Sequence, residues 1–286
     1  MGLALVVSTS TALAVEPAEV SLDDESAESD ALPGDDTSED VDADAANEEP
    51  TPEEDAPITG DPGSPIEEEG ETYYFVGARY RGIILPQFMM NMFADGGQTL
   101  YVNAFGAEVG IRKDDFEILP SIWFANYGMD PTPFKSKSDP PESWELVESN
   151  LKVLFLTADF LWSTPVNPEL AINYGAGAGF GLVFGDIIRN DAYFPGGAAS
   201  SDGTGLRACP GPSDPVSPGD AYCPGDGQYD FNEPNWTNGG SKPIIFPWLV
   251  VQTGLRYKPH RNFVARLDLG FGTSGFFFGL GADYGL

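Results

Sequence analysis

From residue 72 onward the chain alternates with a period of two, and this limits its fold more than any other feature. In 169–185 the even positions Leu170, Ile172, Tyr174, Ala176, Ala178, Phe180, Leu182 and Phe184 are all apolar. The odd positions are Glu169, Ala171, Asn173, four glycines, Val183 and Gly185. Successive side chains of a strand point to opposite faces, so one face is continuously apolar and the other small or polar. The same pattern returns in 263–272, where Phe263, Ala265, Leu267, Leu269 and Phe271 alternate with Val264, Arg266, Asp268, Gly270 and Gly272. In 276–286 the apolar set is Phe276, Phe278, Leu280, Ala282, Tyr284 and Leu286. Residues 73–84, 99–112 and 244–257 repeat it, while 116–128 and 150–162 are apolar but alternate less cleanly. These eight candidate strands mostly exceed the ~5–6 residues usual in soluble sheets and reach the ~9–11 that cross a bilayer. No run of 18 apolar residues is present, so no transmembrane helix is expected.

Charge divides the chain in two. The formal net charge is −31, with 45 Asp+Glu against 14 Lys+Arg. Residues 15–71 contain 23 of the acids and none of the bases; the first base is Arg79. Such a segment, poor in large apolar side chains, cannot bury enough surface to offset its ordering entropy, and disorder is expected there. Residues 1–14 form a short apolar stretch ending Ala12-Leu13-Ala14, which reads as a signal peptide with its basic start missing and the true start upstream. The acidity argues against nucleic acid as a partner.

A soluble sandwich alternates too. Three features favour a barrel in a membrane. The polar faces carry glycines and isolated charges, which suit the inside of a narrow barrel. Tyr73, Tyr74, Tyr101, Trp123, Tyr127, Trp162, Trp248, Tyr257 and Tyr284 lie toward strand ends, as interface girdles do. Connections alternate between short (113–115, 163–168, 258–261) and long (86–98, 129–149, 186–243), with 272–275 a short exception.

On these residues the segment 72–286 resembles the bacterial outer-membrane β-barrel superfamily, in its small eight-stranded OmpA and OmpW-like form. The resemblance implies an all-β fold: an eight-stranded antiparallel transmembrane barrel, preceded by the disordered acidic segment. It implies the outer membrane of a Gram-negative bacterium, with the acidic segment in the periplasm and the long loops outside. Its partners would be the lipid bilayer, the barrel-assembly machinery and a surface partner of unknown identity. The assembly signal would be the last strand, through Phe276, Phe278, Leu280, Tyr284 and Leu286, although family members end in an aromatic residue and this chain ends in Leu286.

The inward charges are expected to be Arg79, Arg81, Glu108, Arg112, Glu117, Asp159, Glu169, Arg256, Arg266, Asp268 and Asp283. In a low-dielectric lumen they should pair, so a salt-bridge plug is expected. A narrow channel or carrier for small or hydrophobic solutes is one alternative, and a secreted soluble β-sandwich binding protein another. Cys209 and Cys223 would close a loop of about 15 residues as a disulfide in an exported protein. Asp220, Asp226, Asp230, Asn232 and Glu233 are weak candidates for calcium, without EF-hand spacing; otherwise no metal and no cofactor is expected. The sole histidine, His260, falls in a predicted short turn, so no enzyme is expected.

Overall fold

The computed structural model describes residues 66–92, 94–140, 143–196, 200–211, 223 and 226–286. The expected signal peptide, the acidic stretch up to residue 65 and Asp220 lie outside these residues.

Among the described residues twelve strands form: β1 Thr72–Leu85, β2 Ala94–Gly96, β3 Leu100–Lys113, β4 Phe116–Ser136, β5 Glu145–Pro165, β6 Leu170–Phe184, β7 Ile187–Tyr193, β8 Arg207–Ala208, β9 Phe231–Asn232, β10 Ile245–His260, β11 Phe263–Gly272 and β12 Gly275–Gly285. Eight of them make the barrel. Each pairs antiparallel with the next in the order β1, β3, β4, β5, β6, β10, β11, β12. Strand β12 returns to β1, so the sheet closes, and Ala78 faces Ala107 on one side and Ala282 on the other. A closed single sheet excludes the sandwich.

The period of two decides what faces where. Odd residues of β1 turn inward: Phe75, Arg79, Arg81 and Ile83 are all buried. Even residues turn outward, where Tyr74, Val76 and Ile84 are exposed. Around the barrel the outer face shows Val109, Ile122, Leu156, Phe180, Leu255, Leu267 and Leu280. Phe276, Leu280, Tyr284 and Leu286 of the last strand also face out, with Phe278 half-buried beside Tyr80 and Tyr101.

The girdle expectation needs correcting. Tyr74, Tyr101, Trp162, Tyr257 and Tyr284 are exposed on the outside. Trp123 and Trp248 are instead buried in the lumen. They share the parity of Ser121 and of Gln252, both of which point inward. Tyr73 also turns in, its ring 5.3 Å from the Lys258 ammonium, and the Tyr127 hydroxyl is buried.

The loops differ from expectation as well. The link expected at 129–149 is mostly strand: β4 and β5 each run 21 residues, with a register shift between Met129 and Thr132. At ~3.3 Å per residue such strands are about 70 Å long, roughly twice what a bilayer crossing needs. Their protruding halves carry β2 on one side and β7 on the other, and β7 carries β8 and β9. Within the region 186–243 the described residues thus pair as β7, β8 and β9, and Cys209 and Cys223 are disulfide-bonded there.

Glycines on the inner face of β6 make room for larger neighbours. A Cβ placed on Gly177 would collide with the carboxylate of Asp159. Replacing it by Val should therefore displace that carboxylate and destabilise the barrel by about 1–3 kcal/mol, as overpacking does. Urea unfolding in lipid vesicles, read by tryptophan fluorescence, should show a lowered midpoint for Gly177→Val and little change for outward Ala178→Val.

Candidate functional site

The inward side chains group into three tiers. The tier nearest the short turns is built around Glu67, which precedes β1. Its carboxylate accepts from Arg112 Nε at 2.7 Å, Arg256 Nη2 at 2.8 Å and Lys258 Nζ at 2.9 Å. Residues 66–71 were expected to be disordered. Instead Gly70 N donates to Asp114 Oδ1 at 2.7 Å and Glu68 N to the Tyr73 hydroxyl at 2.8 Å, which folds the chain under the barrel mouth. Burial alone would push the Glu67 carboxyl up, but Arg256, Arg112 and Lys258 together hold it down at about 2.

The middle tier is the charge network. Arg79 Nε meets Glu108 at 2.6 Å and Arg79 Nη1 meets Asp159 at 2.8 Å. Arg81 Nη2 meets the same Asp159 oxygen at 2.6 Å. Arg266 pairs with Glu108, with Glu117 at 3.4 Å and with Asp283 at 2.9 Å. Asp268 is buried in the same region. Neutral groups complete it: Arg79 donates to Ser121 at 3.0 Å, Ser121 and Thr157 share a bond of 2.8 Å, and Arg112 donates to Ser163 at 2.7 Å.

One expected member is absent. Glu169 is exposed in the β5–β6 turn, where its carbonyl accepts from Lys258 N at 2.7 Å. The strand begins one residue later, at Leu170, so its inward parity never applies. Glu67 and Lys258 take part although the sequence reading passed over them. With both included, Arg79, Arg81, Arg112, Arg256, Lys258 and Arg266 face Glu67, Glu108, Glu117, Asp159, Asp268 and Asp283. The bases and carboxylates are equal in number, so their formal charges sum to zero where desolvation would penalise a net charge most.

The third tier is aromatic. Trp123 stacks on Phe155 with centroids 4.0 Å apart, Trp248 meets Trp123 edge-on at 4.8 Å, and Phe277 lies 5.8 Å from Trp248. Arg81 joins the tiers. Its guanidinium carbon lies 5.5, 5.1 and 4.6 Å from the Trp123, Trp248 and Phe277 centroids. Two of its nitrogens, Nε and Nη1, meet no acceptor, and ring faces take that place.

Above the aromatic tier, at the loop end, lies a cavity of about 570 Å³. Arg189 of β7 crosses its wall, bound to Glu145 by two contacts of 2.7 Å and to Glu233 at 3.0 Å. Glu233 also accepts from Ser241 N and Oγ, at 2.7 and 2.6 Å. The weak calcium candidates among the described residues are therefore not gathered. Glu233 serves Arg189, Asp226 is exposed, Asp230 N is bound by Asn190, and Asn232 donates to Asp186. Among the described residues no group of three or more His, Cys, Asp or Glu is placed to hold a metal. His260 is exposed at the end of β10, with Asn262 N 3.4 Å from its Nδ1.

No family model and no curated protein matches the sequence. Among solved structures the chain is similar to Ail, the attachment invasion locus protein of Yersinia pestis, at 14% identity and a TM-score of 0.34, over 77% of this chain and 100% of that one. It is similar to Neisserial surface protein A at 10% identity and a TM-score of 0.32, over 74% and 94%. A third is the N-terminal β-barrel domain of Pseudomonas aeruginosa OprF, at 13% identity and 0.29, over 77% and 100%. The barrel itself is established by the register of this chain's own strands.

The Glu67 tier makes stability depend on acid pH with a definite sign. A carboxylate held at about 2 in the folded chain, against an ordinary 4.5, contributes stability that is complete above about pH 4.5 and is lost as pH falls toward 2. Glu67→Gln should remove that component. The wild type should lose more stability than the variant between pH 6 and pH 3, measured as the shift in urea midpoint in lipid vesicles.

Proposed function

We propose that the chain is an outer-membrane barrel whose lumen is a sealed structural plug and whose work is done at the loop end, outside the cell. One observation supports this: paired charges and stacked rings gather at three successive levels on the inner face, while the outer surface is a belt of exposed apolar side chains. Soluble monomers rarely expose contiguous apolar patches beyond a few hundred Å². A lipid bilayer is the partner that belt fits, with Tyr74, Trp162, Tyr257 and Tyr284 at its turn-end rim. The even number of strands brings both barrel termini to the turn end, which on this reading is the periplasmic side and would carry Glu67 there. The protruding hairpin and β7 would then present the surface on which a partner docks. The last strand would serve the barrel-assembly machinery through its outward residues from Phe276 to Leu286.

The reading separates from a narrow channel by conductance. Refolded barrel should shift its gel mobility on boiling, as closed membrane barrels do, and should stay electrically silent in planar bilayers. Stepwise conductance from the wild-type chain would show that the three tiers do not seal the lumen. A chain that stays soluble without detergent and shows no mobility shift would remove the membrane reading.

A further inference from the structure

The turn-end mouth stands apart from this reading: its chemistry is the same whether or not the lumen conducts and whichever compartment that end faces. Three buried bases converge there on one carboxylate. Arg112 lies near the end of β3, and Arg256 and Lys258 lie near the end of β10, so the donors stand on the barrel itself. The acceptor, Glu67, comes from outside it, in the stretch 66–71 before β1. Of those six residues Glu67 alone is not exposed, so its carboxylate is the main hold of the stretch on the barrel. The other ion pairs of the bases are long, Arg112 to Asp115 at 3.9 Å and Arg256 to Glu117 at 4.0 Å. Without Glu67, the six inward bases named above would face five carboxylates, and the excess positive charge would lie at this mouth.

Donors held by a rigid frame and an acceptor brought by a separate stretch are the parts of a receptor and its ligand. Guanidinium and ammonium groups are the donors that carboxylate and phosphate oxygens take most strongly. A recess of about 400 Å³, lined by Glu67 and all three bases, opens beside the contact and leaves room for a larger oxyanion. Its rim also carries Glu68, Glu69, Asp114, Asp115 and Glu169, which repel a free anion. Glu68 and Glu69 belong to the same stretch as Glu67, however, and withdraw with it. We infer that the turn-end mouth is an oxyanion-binding site that the chain fills with its own Glu67, and that a free phosphate or carboxylate takes the place when that carboxylate withdraws. Glu67 is five positions from the start of β1 at Thr72, and so short a tether holds it at an effective concentration on the order of millimolar. The site is therefore a latch. Filled from within, it keeps 66–71 against the barrel; filled by a free anion, it releases them.

Inorganic phosphate is the probe, with sodium chloride at matched ionic strength as the control and the full chain in lipid vesicles. Glu67→Gln removes the internal anion and keeps its shape. In that variant phosphate should bind saturably, one per chain by titration calorimetry, and should raise the urea midpoint as a ligand of the folded state does. The wild type should bind phosphate about tenfold more weakly or worse, because the tethered carboxylate competes. Adding Lys258→Gln to Glu67→Gln should weaken phosphate by about tenfold, the expected loss of one charge-assisted hydrogen bond. A spin label on Glu69→Cys, an exposed position, reads the latch with Glu67 in place. Its mobility should rise saturably with phosphate and stay unchanged with chloride. If either glutamine variant does not fold, the label decides alone. Phosphate binding no tighter in Glu67→Gln than in the wild type overturns the site, and an unchanged affinity on adding Lys258→Gln overturns the assignment of its donors. A label that ignores phosphate, or that follows ionic strength alone, overturns the exchange.

Discussion

In the ladder between β1 and β12, Phe75 faces Gly285 at one end and Ile84 faces Phe276 at the other. With it, the first and last strands of the barrel cease to be edges. An unpaired backbone group with neither water nor a partner costs several kcal/mol, and a closed sheet leaves none along a strand edge. Closure then dictates the rest. It turns one face of every strand toward a space too narrow for bulk water, and what stands there must satisfy itself. The glycines of β6, the paired charges and the stacked rings are three answers to that single demand, sorted by size. Asp159 lies over Gly177, where a Cβ would block it, and Phe155 and Val153 lie over Gly181.

The charged and aromatic tiers are not independent layers. Arg81 gives one nitrogen to Asp159 and turns its flat face to three rings. A lysine could carry the charge but not both contacts, because its ammonium is a compact, strongly hydrated point. Trp123 fastens the same junction from the other side, its indole Nε1 donating to Thr157 at 3.0 Å, and Thr157 bonds to Ser121, which takes a bond from Arg79. The boundary between polar and apolar filling is thus stitched by hydrogen bonds and cation–π contacts rather than left as an interface between unlike surfaces.

Much of this was legible in the sequence, because parity is a local property. Arg79, Arg81, Glu108, Asp159, Arg256, Arg266, Asp268 and Asp283 could be placed inward from their neighbours alone, and so could the outward residues of the last strand. Trp248 carried the same signal, one residue out of step with Leu249, but its aromatic character drew it to the rim instead. What parity could not give is contact between distant segments. Glu67 lies 189 residues from Arg256 in the chain and outside any strand, so nothing local marks it as the missing carboxylate. The protruding halves of β4 and β5 were hidden for another reason. Beyond the apolar belt the alternation lapses, and Met129-Asp130-Pro131 reads as a loop although the pairing resumes at Thr132.

The loop end is uneven in height. On the β11–β12 side the rim is a tight turn through Thr273 and Ser274, ending on Gly275 at a φ of 99°. Across the barrel, β4 and β5 rise far above it and are widened by β7. The molecule therefore has a front and a back when seen from above: a low sill on one side and a tall screen on the other. Anything large that approaches this end from the side meets the screen from one quarter and a nearly flush edge from the opposite one. Contact at this surface is directional even though the barrel beneath it is round.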